Sequence, residues 1–250
     1  MKTILDVKNL CKSFENIQVL NDINMRVDEG EFIAIMGQSG SGKSTLLYSI
    51  SGMDRPTSGE VLFCDKDISK LDDDEISEIR LKQMGFIFQH SYLLKNLSIR
   101  DNIVLPGFKS GKLLREQVNQ NADKLMMKTG IKGVADHDIK KVSGGQLQRA
   151  AICRALINQP DILYGDEPTG ALNSSTTKEV MDIINNINAE GTTVIIVTHD
   201  AKVAARASRV IFLMDGNIHD ELALGKYEDH EKIRASREKR LSEWLDEQGF

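Results

Sequence analysis

The stretch GQSGSGKST at residues 37–45 constrains the fold more than any other part of the sequence. The apolar run EFIAIMG before it predicts a buried strand, and KSTLLYSISG after it predicts a helix. A strand, then G-x-x-x-x-G-K-[ST], then a helix is the pattern of a loop that holds phosphate groups. The alternative is a glycine-rich loop that only connects strand to helix, but both flanks match the phosphate-binding context.

The residue types in this loop fit a nucleotide phosphate. Glycines let the backbone turn tightly with its N–H groups pointing inward, and the helix start adds the positive end of its dipole. Lys43 can reach the β- and γ-phosphates, the Ser44 hydroxyl can ligate Mg²⁺, and Thr45 adds a nearby donor. The predicted binding residues are Gly37, Ser39, Gly40, Ser41, Gly42, Lys43, Ser44 and Thr45.

A second signal is ILYGDEP at residues 162–168, an apolar strand that ends in two carboxylates. Open α/β sheets bind ligands at the carboxyl ends of their strands. Asp166 suits the Mg²⁺ shell, mostly through water, and Glu167 suits a general base that polarises the attacking water. Taken alone, the pair is more typical of a solvated strand end.

A third signal is KVSGGQLQRAAICRAL at residues 141–156. Ser143 is a good N-cap residue for the helix that this segment predicts. Gly144 and Gly145 expose backbone N–H groups at the helix start, which makes a second anion site. The chain therefore has two phosphate-holding helix starts, which leaves open whether both contact one nucleotide.

The rest of the chain predicts alternating strands and helices. Strands are predicted at 31–37, 60–64, 84–89, 161–167, 192–200 and 209–216, and helices at 74–82, 114–129, 146–158, 175–189 and 201–206. Fully apolar strands in the second half indicate a parallel sheet covered on both faces. The first 30 residues, with LDVKNL, FENIQVL and INMRVDEG, predict short strands of an antiparallel lobe.

Two further segments differ from this pattern. Residues 90–145 hold no apolar strand and predict a helical insertion. The charged tail at 226–250 predicts a helix with Ile233, Leu241, Trp244 and Leu245 on one side.

Composition narrows the class of protein. The net charge of -5 argues against a general nucleic-acid binder, which usually has a basic face. Cys11, Cys64 and Cys153 form no CxxC pair, so zinc ribbons and disulfide scaffolds are not expected. No run approaches the roughly 20 apolar residues of a membrane span, so we expect a cytoplasmic chain whose membrane role needs a partner.

Five motifs in order, GQSGSGKST, FIFQ, VSGGQ, LYGDEP and VTHD, resemble the ATP-binding subunit of ABC transporters over almost the whole chain. The SGGQ motif distinguishes this family from other phosphate-loop enzymes, because they lack it. The expected fold is α/β: a P-loop NTPase core with a parallel sheet flanked by helices, an N-terminal antiparallel β lobe and an inserted helical subdomain. The expected domains are an ATPase domain at 1–225, with the helical subdomain at about 90–158 inserted in it, and the tail at 226–250.

The resemblance implies a head-to-tail homodimer that holds two ATP molecules with Mg²⁺. Each ATP would lie between the phosphate loop of one subunit and the SGGQ segment of the other. The two helix starts of one chain would then serve two different nucleotides. The residues assigned to the nucleotide held by the partner are Ser143, Gly144, Gly145 and Gln146.

The resemblance also assigns single residues. Gln89 would sense Mg²⁺ and the attacking water and link to the membrane partner, and His199 would contact the γ-phosphate. On its own, a strand-end histidine is more often satisfied by backbone. Phe14 would stack on adenine, although it could instead belong to the core. The implied catalytic residues are Lys43, Gln89, Glu167 and His199, and the implied metal ligands are Ser44, Gln89 and Asp166.

Two positions depart from the family pattern. Val142 replaces the usual leucine before SGGQ and stays apolar. Asn173 replaces the usual aspartate of the loop after DEPTGAL; it keeps the size and hydrogen bonding but loses the charge. This second change bears on communication between the two sites more than on hydrolysis, because Glu167 is intact.

Within the family, GFIFQHSYLLKNLSIRDNIVLPG and DEPTGALNS resemble the ATPases of macrolide exporters, lipoprotein-releasing complexes, antimicrobial-peptide resistance exporters and the division-linked complex. This branch implies a permease partner with an extracytoplasmic domain, no nucleic-acid partner, and a place at the cytoplasmic face of the membrane. One alternative is a signalling ATPase that gates an extracytoplasmic enzyme or sensor without moving cargo. Another, an ATPase acting on ribosomes or DNA, usually carries two such domains or long coiled coils.

Overall fold

The computed structural model describes residues 2–250, and these divide into two units, residues 2–76 with 188–250 and residues 77–187. The strands are β1 (Thr3–Phe14), β2 (Ile17–Asp28), β3 (Phe32–Met36), β4 (Ser58–Phe63), β5 (Lys66–Asp67), β6 (Met84–Phe88), β7 (Ile162–Asp166), β8 (Thr193–Val197), β9 (Arg209–Met214) and β10 (Asn217–Ala223). The helices are α1 (Lys43–Ile50), α2 (Asp73–Gln83), α3 (Ile99–Ser110), α4 (Arg115–Lys128), α5 (Gly144–Leu156), α6 (Ser174–Ala189), α7 (Ala201–Ala204) and α8 (Glu231–Glu247).

An antiparallel sheet in the first unit has the strand order β2-β1-β4-β5. The buried side chains of β1 alternate through Leu5 and Val7, then shift by one residue to Leu10. Asn9 lies in this irregular stretch with φ 48°, a left-handed conformation that asparagine tolerates. Such a bulge keeps the apolar side chains on the buried face on both sides of it. The predicted antiparallel lobe is confirmed.

The number of strands in this lobe was predicted wrongly. Instead of three short strands, β1 and β2 are each 12 residues long. The segment FENIQVL, predicted as one strand, crosses the two-residue turn at 15–16 that joins them. Glu15 has φ 52° there, so the turn forms without the glycine that usually marks it in a sequence.

A second group of strands in the first unit centres on β3, which lies between β8 and β9 and is parallel to both. Every residue of β3 and β8 is buried, as in a parallel sheet with both faces covered. Helix α1 packs against β8, and α7 packs against β3. This arrangement confirms the predicted α/β class and places the end of β3 at the start of residues 37–45.

Strand β10 pairs with β9 as an antiparallel hairpin and was not predicted. Asp215 and Gly216 make its turn with φ 47° and 76°, the conformations that a tight hairpin requires. Most residues of β10 are exposed, so it has no apolar run to reveal it. The predicted strand at 209–216 correspondingly ends at Met214.

The second unit combines a strand pair with a helical cluster. Strands β6 and β7 are parallel, with Phe88 opposite Asp166 at their carboxyl ends. Helices α3, α4 and α5 share an apolar core that includes Ile99, Ile103, Val118, Met126, Cys153 and Ile157. Residues 90–145, all of them described, contain no strand, which confirms the predicted helical character of this segment. Helix α3 tolerates Pro106 in its interior.

The predicted tail helix is confirmed as α8. Leu241, Trp244 and Leu245 are buried along one side, whereas Ile233 is only half-buried. Arg237 lies on the same side and was not predicted to be buried. Its guanidinium donates to the carbonyl oxygens of Ala205, Ala207, Leu224, Gly225 and Lys226 at 2.5–3.3 Å. Its burial lowers the pKa of this arginine, and the carbonyls compensate for the lost hydration.

The remaining predicted helices match α2, α4, α5 and α6 with ends shifted by one or two residues, while α7 ends earlier than the predicted residue 206. Over residues 2–250, no helix combines the length and the apolar composition that crossing a bilayer would require.

Candidate functional site

The loop after β3 has a backbone that only glycine adopts easily. Gly37, Gly40 and Gly42 have φ of 149°, 81° and 99°. At Gly42 there is also no space, because a Cβ would lie 3.0 Å from Leu20 Cδ2 and 3.1 Å from the carbonyl oxygen of Val19. The glycines that the sequence predicted as phosphate-binding are therefore required by the loop's own geometry.

The side chain of Lys43 lies across this loop and contacts its backbone. Lys43 Nζ donates to the carbonyl oxygens of Gly37, at 2.8 Å, and Gln38, at 2.7 Å. Lys43 is also the first residue of α1, and the N-cap, Gly42, has no side chain to accept a bond from the first helical N–H groups. The start of α1 thus combines a lysine ammonium with backbone donors that the helix itself does not satisfy, the arrangement that binds anions.

The hydroxyl residues of the loop lie at different depths. Ser41 is buried, its N–H donates to the carbonyl oxygen of Gln38 at 3.2 Å, and its Oγ has no hydrogen-bond partner within residues 2–250. Ser44 and Thr45 lie in the first turn of α1, half-buried, while Ser39 is exposed. Ser41 therefore contributes to the inside of the loop, and Ser44 and Thr45 contribute to the helix start.

One residue beyond the end of a strand of the first unit, His199, was predicted to contact the nucleotide. His199 is exposed and directly follows Thr198, whose N–H donates to the carbonyl oxygen of Ile35 at 3.2 Å. That bond places the chain leading to His199 beside the end of β3, which leads into the phosphate loop. Asp200 then caps α7 by accepting from the N–H of Lys202 at 2.7 Å.

The aromatic residue Phe14 ends β1 and is 47% exposed, so it is not part of the core. The Nζ of Lys12 lies 4.7 Å from the centre of its ring, an attractive cation–π distance. Asp54 Oδ1 and the carbonyl oxygen of Arg55 each hold this ammonium at 2.7 Å. An exposed ring with a fixed cation beside it suits stacking on a ligand, and the adenine contact stays a prediction.

In the second unit, the two strand ends bring a glutamine and a glutamate together. Gln89 follows β6, Asp166 ends β7, and Glu167 follows β7. A Cβ placed on Gly170 would lie 3.0 Å from Gln89 Nε2 and 3.1 Å from Glu167 Oε2. The side chains of Gln89 and Glu167 therefore converge on this glycine, which leaves room for both.

Glu167 has an unusual backbone. Its φ is 46°, and its carbonyl oxygen accepts a bond from the Gly170 N–H at 3.0 Å. A residue other than glycine in the left-handed region costs free energy, and such residues are concentrated at functional sites. The turn thus fixes the direction in which the carboxylate leaves the end of β7.

The predicted second anion site is a capped helix start. Ser143 Oγ accepts from the N–H of Gln146 at 3.3 Å, and Gln146 Oε1 accepts from the N–H of Ser143 at 2.8 Å. Ser143 and Gly144 are exposed, and a Cβ at Gly144 would meet no atom within 4 Å. At Gly145 a Cβ would lie 2.5 Å from Thr176 Cγ2, so this glycine is required for packing.

Asn173, the second departure from the family pattern, caps α6. Its Oδ1 accepts a bond from the N–H of Thr176 at 3.0 Å. An aspartate would fill this capping role equally well. The structure therefore explains why asparagine is tolerated at this position.

Sequence reasoning missed the polar side chains that fasten these loops. Gln148 is buried, and its Nε2 donates to the carbonyl oxygens of Phe88 at 3.0 Å and Pro168 at 2.7 Å. Arg154 donates to the carbonyl oxygens of Ser91 and Tyr92, each at 2.7 Å, and burial lowers its pKa. One signal was present in the sequence: Gln148 shares a helix face with Ala151 and Ile152, where apolar residues are expected.

Comparison with known proteins gives one family. The family described as "ABC transporter" matches residues 20–170. The macrolide export ATP-binding/permease protein MacB of Campylobacter jejuni subsp. jejuni serotype O:23/36 is 40% identical over 245 residues, which are 98% of this chain and 38% of that protein. The chain thus spans about two fifths of the length of such MacB relatives.

A relative of matching length and a solved structure add detail. The lipoprotein-releasing system ATP-binding protein LolD of Leptospira interrogans serogroup Icterohaemorrhagiae serovar Lai is 41% identical over 215 residues, 86% of this chain and 90% of that protein. The dimeric, post-hydrolysis structure of the ATP-binding cassette MJ0796 with ADP and Pi superimposes with a TM-score of 0.82 at 38% identity, covering 89% of this chain and all of that one.

Proposed function

The chain belongs to the ABC transporter family, as a domain that binds and hydrolyses ATP, and on that premise we propose that it powers a membrane permease of an export system. What carries the proposal is the similarity over most of the chain both to the ATPase part of a macrolide exporter and to the separate ATPase of a lipoprotein-releasing system. The narrower assignment to antimicrobial-peptide resistance rests on the branch motifs GFIFQ and DEPTGALNS.

ATP is held mainly by the loop after β3. The N–H groups of the glycine-rich backbone and of the first turn of α1 bind the phosphate oxygens, since the helix start has no side-chain cap of its own. Lys43 exchanges the carbonyl oxygens of Gly37 and Gln38 for the β- and γ-phosphates. Phe14 stacks on the adenine ring.

Magnesium accompanies the nucleotide. The hydroxyl of Ser44, the amide oxygen of Gln89 and the carboxylate of Asp166 are hard oxygen donors of the kind that Mg²⁺ prefers. Within residues 2–250, no group of three His, Cys, Asp or Glu side chains is arranged to hold a metal by itself. Ser44, Gln89 and Asp166 would hold a cation bound together with the phosphates, and it would supply neutralisation of their charge.

Hydrolysis depends on the residues at the strand ends. Glu167 accepts the proton of the attacking water, and Gln89, which faces the same glycine, orients that water. His199 donates to the γ-phosphate. The strained backbone of Glu167 supports this role, because it fixes the carboxylate before the substrate binds.

The second helix start acts on a different nucleotide. Ser143, Gly144, Gly145 and Gln146 bind the γ-phosphate of the ATP held by a second copy of the chain. The exposure of Ser143 and Gly144 supports this assignment. Solved relatives of the cassette are described as dimers. The resulting two-fold dimer holds two ATP molecules, each contacted by both chains.

The permease docks on the segment at 90–110. Tyr92, Leu94 and Leu105 are 66%, 50% and 44% exposed there, although large apolar side chains are costly to leave in water. The partner is a membrane protein with several spans and an extracytoplasmic domain, and it holds the ATPase at the cytoplasmic face. Cargo selection lies mainly in that partner.

The test is affinity purification of the tagged chain from detergent-solubilised membranes of its own cells, followed by mass spectrometry. We expect a permease with a large extracytoplasmic domain to co-purify, and the Leu94→Glu variant to lose it while its ATP affinity is unchanged. Leu114→Glu, at a leucine outside this segment that is even more exposed than Leu94, is the matched control. A sensor kinase as the main partner would favour the signalling alternative, and recovery of ribosomes or chromatin instead would overturn the proposal.

A further inference from the structure

Helix α5 contains a buried polar side chain, the amide of Gln148. Gln148 is only 3% exposed. Its Nε2 uses both N–H bonds, donating to the carbonyl oxygen of Phe88 at 3.0 Å and to that of Pro168 at 2.7 Å. These two acceptors are 60 and 20 residues away along the chain, so one side chain ties two distant loops to α5.

Both acceptors are next to residues of the reaction. Phe88 directly precedes Gln89, and Pro168 directly follows Glu167. The side chains of Gln89 and Glu167 converge on Gly170, where a Cβ would lie within 3.1 Å of each. Gln148 therefore fixes the backbone on which the water-orienting amide and the general base both depend, without reaching the substrate.

The same helix begins with the second anion site. Ser143 caps α5, and Gln148 lies about one and a half turns further on. Ser143 caps the same 13-residue helix that contains Gln148, and rigid secondary-structure elements can carry coupling between sites. A nucleotide that draws Ser143 and Gly144 toward its γ-phosphate would therefore also move the amide that holds the two loops.

We propose that Gln148 is a positioning residue that couples the SGGQ helix start to Gln89 and Glu167. One ATP binds at the start of α5. Through Gln148, this binding sets the geometry in which Gln89 and Glu167 of the same chain hydrolyse the other ATP. This inference rests on the proposed roles of Gln89 and Glu167. It adds a residue through which α5 acts on them.

A second buried amide gives a matched control. Asn158 is 6% exposed, and its Nδ2 donates to the carbonyl oxygens of Leu81 at 2.8 Å and Pro106 at 3.2 Å. It resembles Gln148 in burial and in bridging two distant backbone carbonyls. Neither of its acceptors adjoins a residue of the proposed reaction, so its loss should affect stability alone.

The experiment compares Gln148→Met with Asn158→Leu in the full chain. For Gln148→Met we expect a fall in kcat of about 10- to 100-fold, the scale of a small misplacement of reacting groups, with ATP affinity within about twofold of the original. For Asn158→Leu we expect a lower unfolding midpoint but a kcat within about twofold, measured well below that midpoint. A Gln148→Met chain that is folded and retains its kcat overturns the proposal.

If Gln148→Met does not fold, Gln148→Glu replaces it as the test variant. Glutamate has the same length as glutamine, but its ionised carboxylate has no N–H to donate to the two carbonyl oxygens, so the same loss of kcat is expected. Normal kcat in a folded Gln148→Glu chain would equally count against the proposal.

A double-mutant cycle separates positioning from an independent effect. Because Gln148 is proposed to act through Gln89 and Glu167 together, adding Gln148→Met to Glu167→Gln should lower the residual turnover by a smaller factor than Gln148→Met causes alone. Full multiplication of the two losses would refute that coupling. Near-normal turnover of Glu167→Gln alone would instead refute the role proposed for Glu167, so the two failures are distinguishable.

Discussion

Residues 37–42 and residues 143–145 are both glycine-rich and both lead into a helix, yet their backbones differ. In the first segment, three glycines have positive φ and the cap of α1 has no side chain. In the second segment, neither glycine has positive φ, and Ser143 and Gln146 cap α5 with a reciprocal pair of hydrogen bonds. Glycine is needed for its positive φ at residues 37–42, whereas at Gly145 it is needed because a Cβ would have no space.

The difference indicates different tasks. The loop after β3 is shaped in advance by its backbone, and a lysine folds across it, as expected for a site that binds a nucleotide in the single chain. The start of α5 is an ordinary, stable helix end with an exposed surface, as expected for a face that contacts a ligand held by another molecule. The first segment should therefore control affinity, and the second should control dimerisation.

The largest effect should appear in turnover rather than in binding. Glu167→Gln removes the proposed base but keeps its size, so we expect turnover to fall by about 10²-fold or more with ATP affinity unchanged. Steady-state hydrolysis and equilibrium binding measure the two quantities, with Glu116→Gln on the surface of α4 as the control. Near-normal turnover would require another base.

Lys43→Ala should affect binding. Losing charge-assisted bonds to two phosphate groups, worth at least about 1.5 kcal/mol each, should lower ATP affinity by roughly 100-fold or more. Titration with a fluorescent ATP analogue measures this, and Lys124→Ala, an exposed lysine of α4, should bind normally. If Lys43→Ala bound ATP like the original chain, the loop after β3 would not be the phosphate site.

The two glycine segments can be compared directly by one substitution in each. Gly42→Ala forces a residue with a Cβ to φ 99° beside Leu20 and Val19, so we expect a loss of unfolding free energy of about 1–2 kcal/mol and weaker ATP binding. Denaturant unfolding and ATP titration measure the two effects. An unaltered Gly42→Ala chain would show that the backbone of this loop is not constrained as described.

The smallest effect is expected at Gly144. Its Cβ would meet no atom and its φ is not positive, so Gly144→Ala should change the unfolding free energy by no more than about 0.5 kcal/mol and leave ATP affinity in the monomer unchanged. Only ATP-dependent dimerisation should weaken, which analytical ultracentrifugation can detect. A loss of monomer affinity would place this segment at the chain's own nucleotide.

Local patterns predicted the parts of the fold that local chemistry determines. The loop at 37–45 is recognisable because its glycines and lysine stand at fixed spacing between a strand and a helix. The hairpin of β1 and β2 was missed because Glu15 adopts a left-handed conformation without a glycine signal. Strand β10 was missed because exposed pairing needs no apolar run.

Other features depend on residues far apart in sequence, so no local pattern reveals them. The helix face that Gln148 shares with Ala151 and Ile152 indicates burial, but only the fold shows its two acceptors, Phe88 and Pro168. Arg237 looks like one of many charges in the tail, yet it is buried against carbonyl oxygens from two other segments. Such contacts follow from topology, and only the folded structure assigns them.

We propose that each ATP is shared between the loop after β3 of one chain and the α5 start of another. The most direct test mixes Lys43→Ala chains with Ser143→Arg chains, both carrying Glu167→Gln so that bound ATP is retained. Either variant alone has no intact site. A mixed dimer has one intact site in the shared arrangement, so we expect an ATP-dependent dimer with about one trapped ATP per two chains. A mixture that traps no more ATP and dimerises no more than its components would rule out the shared arrangement.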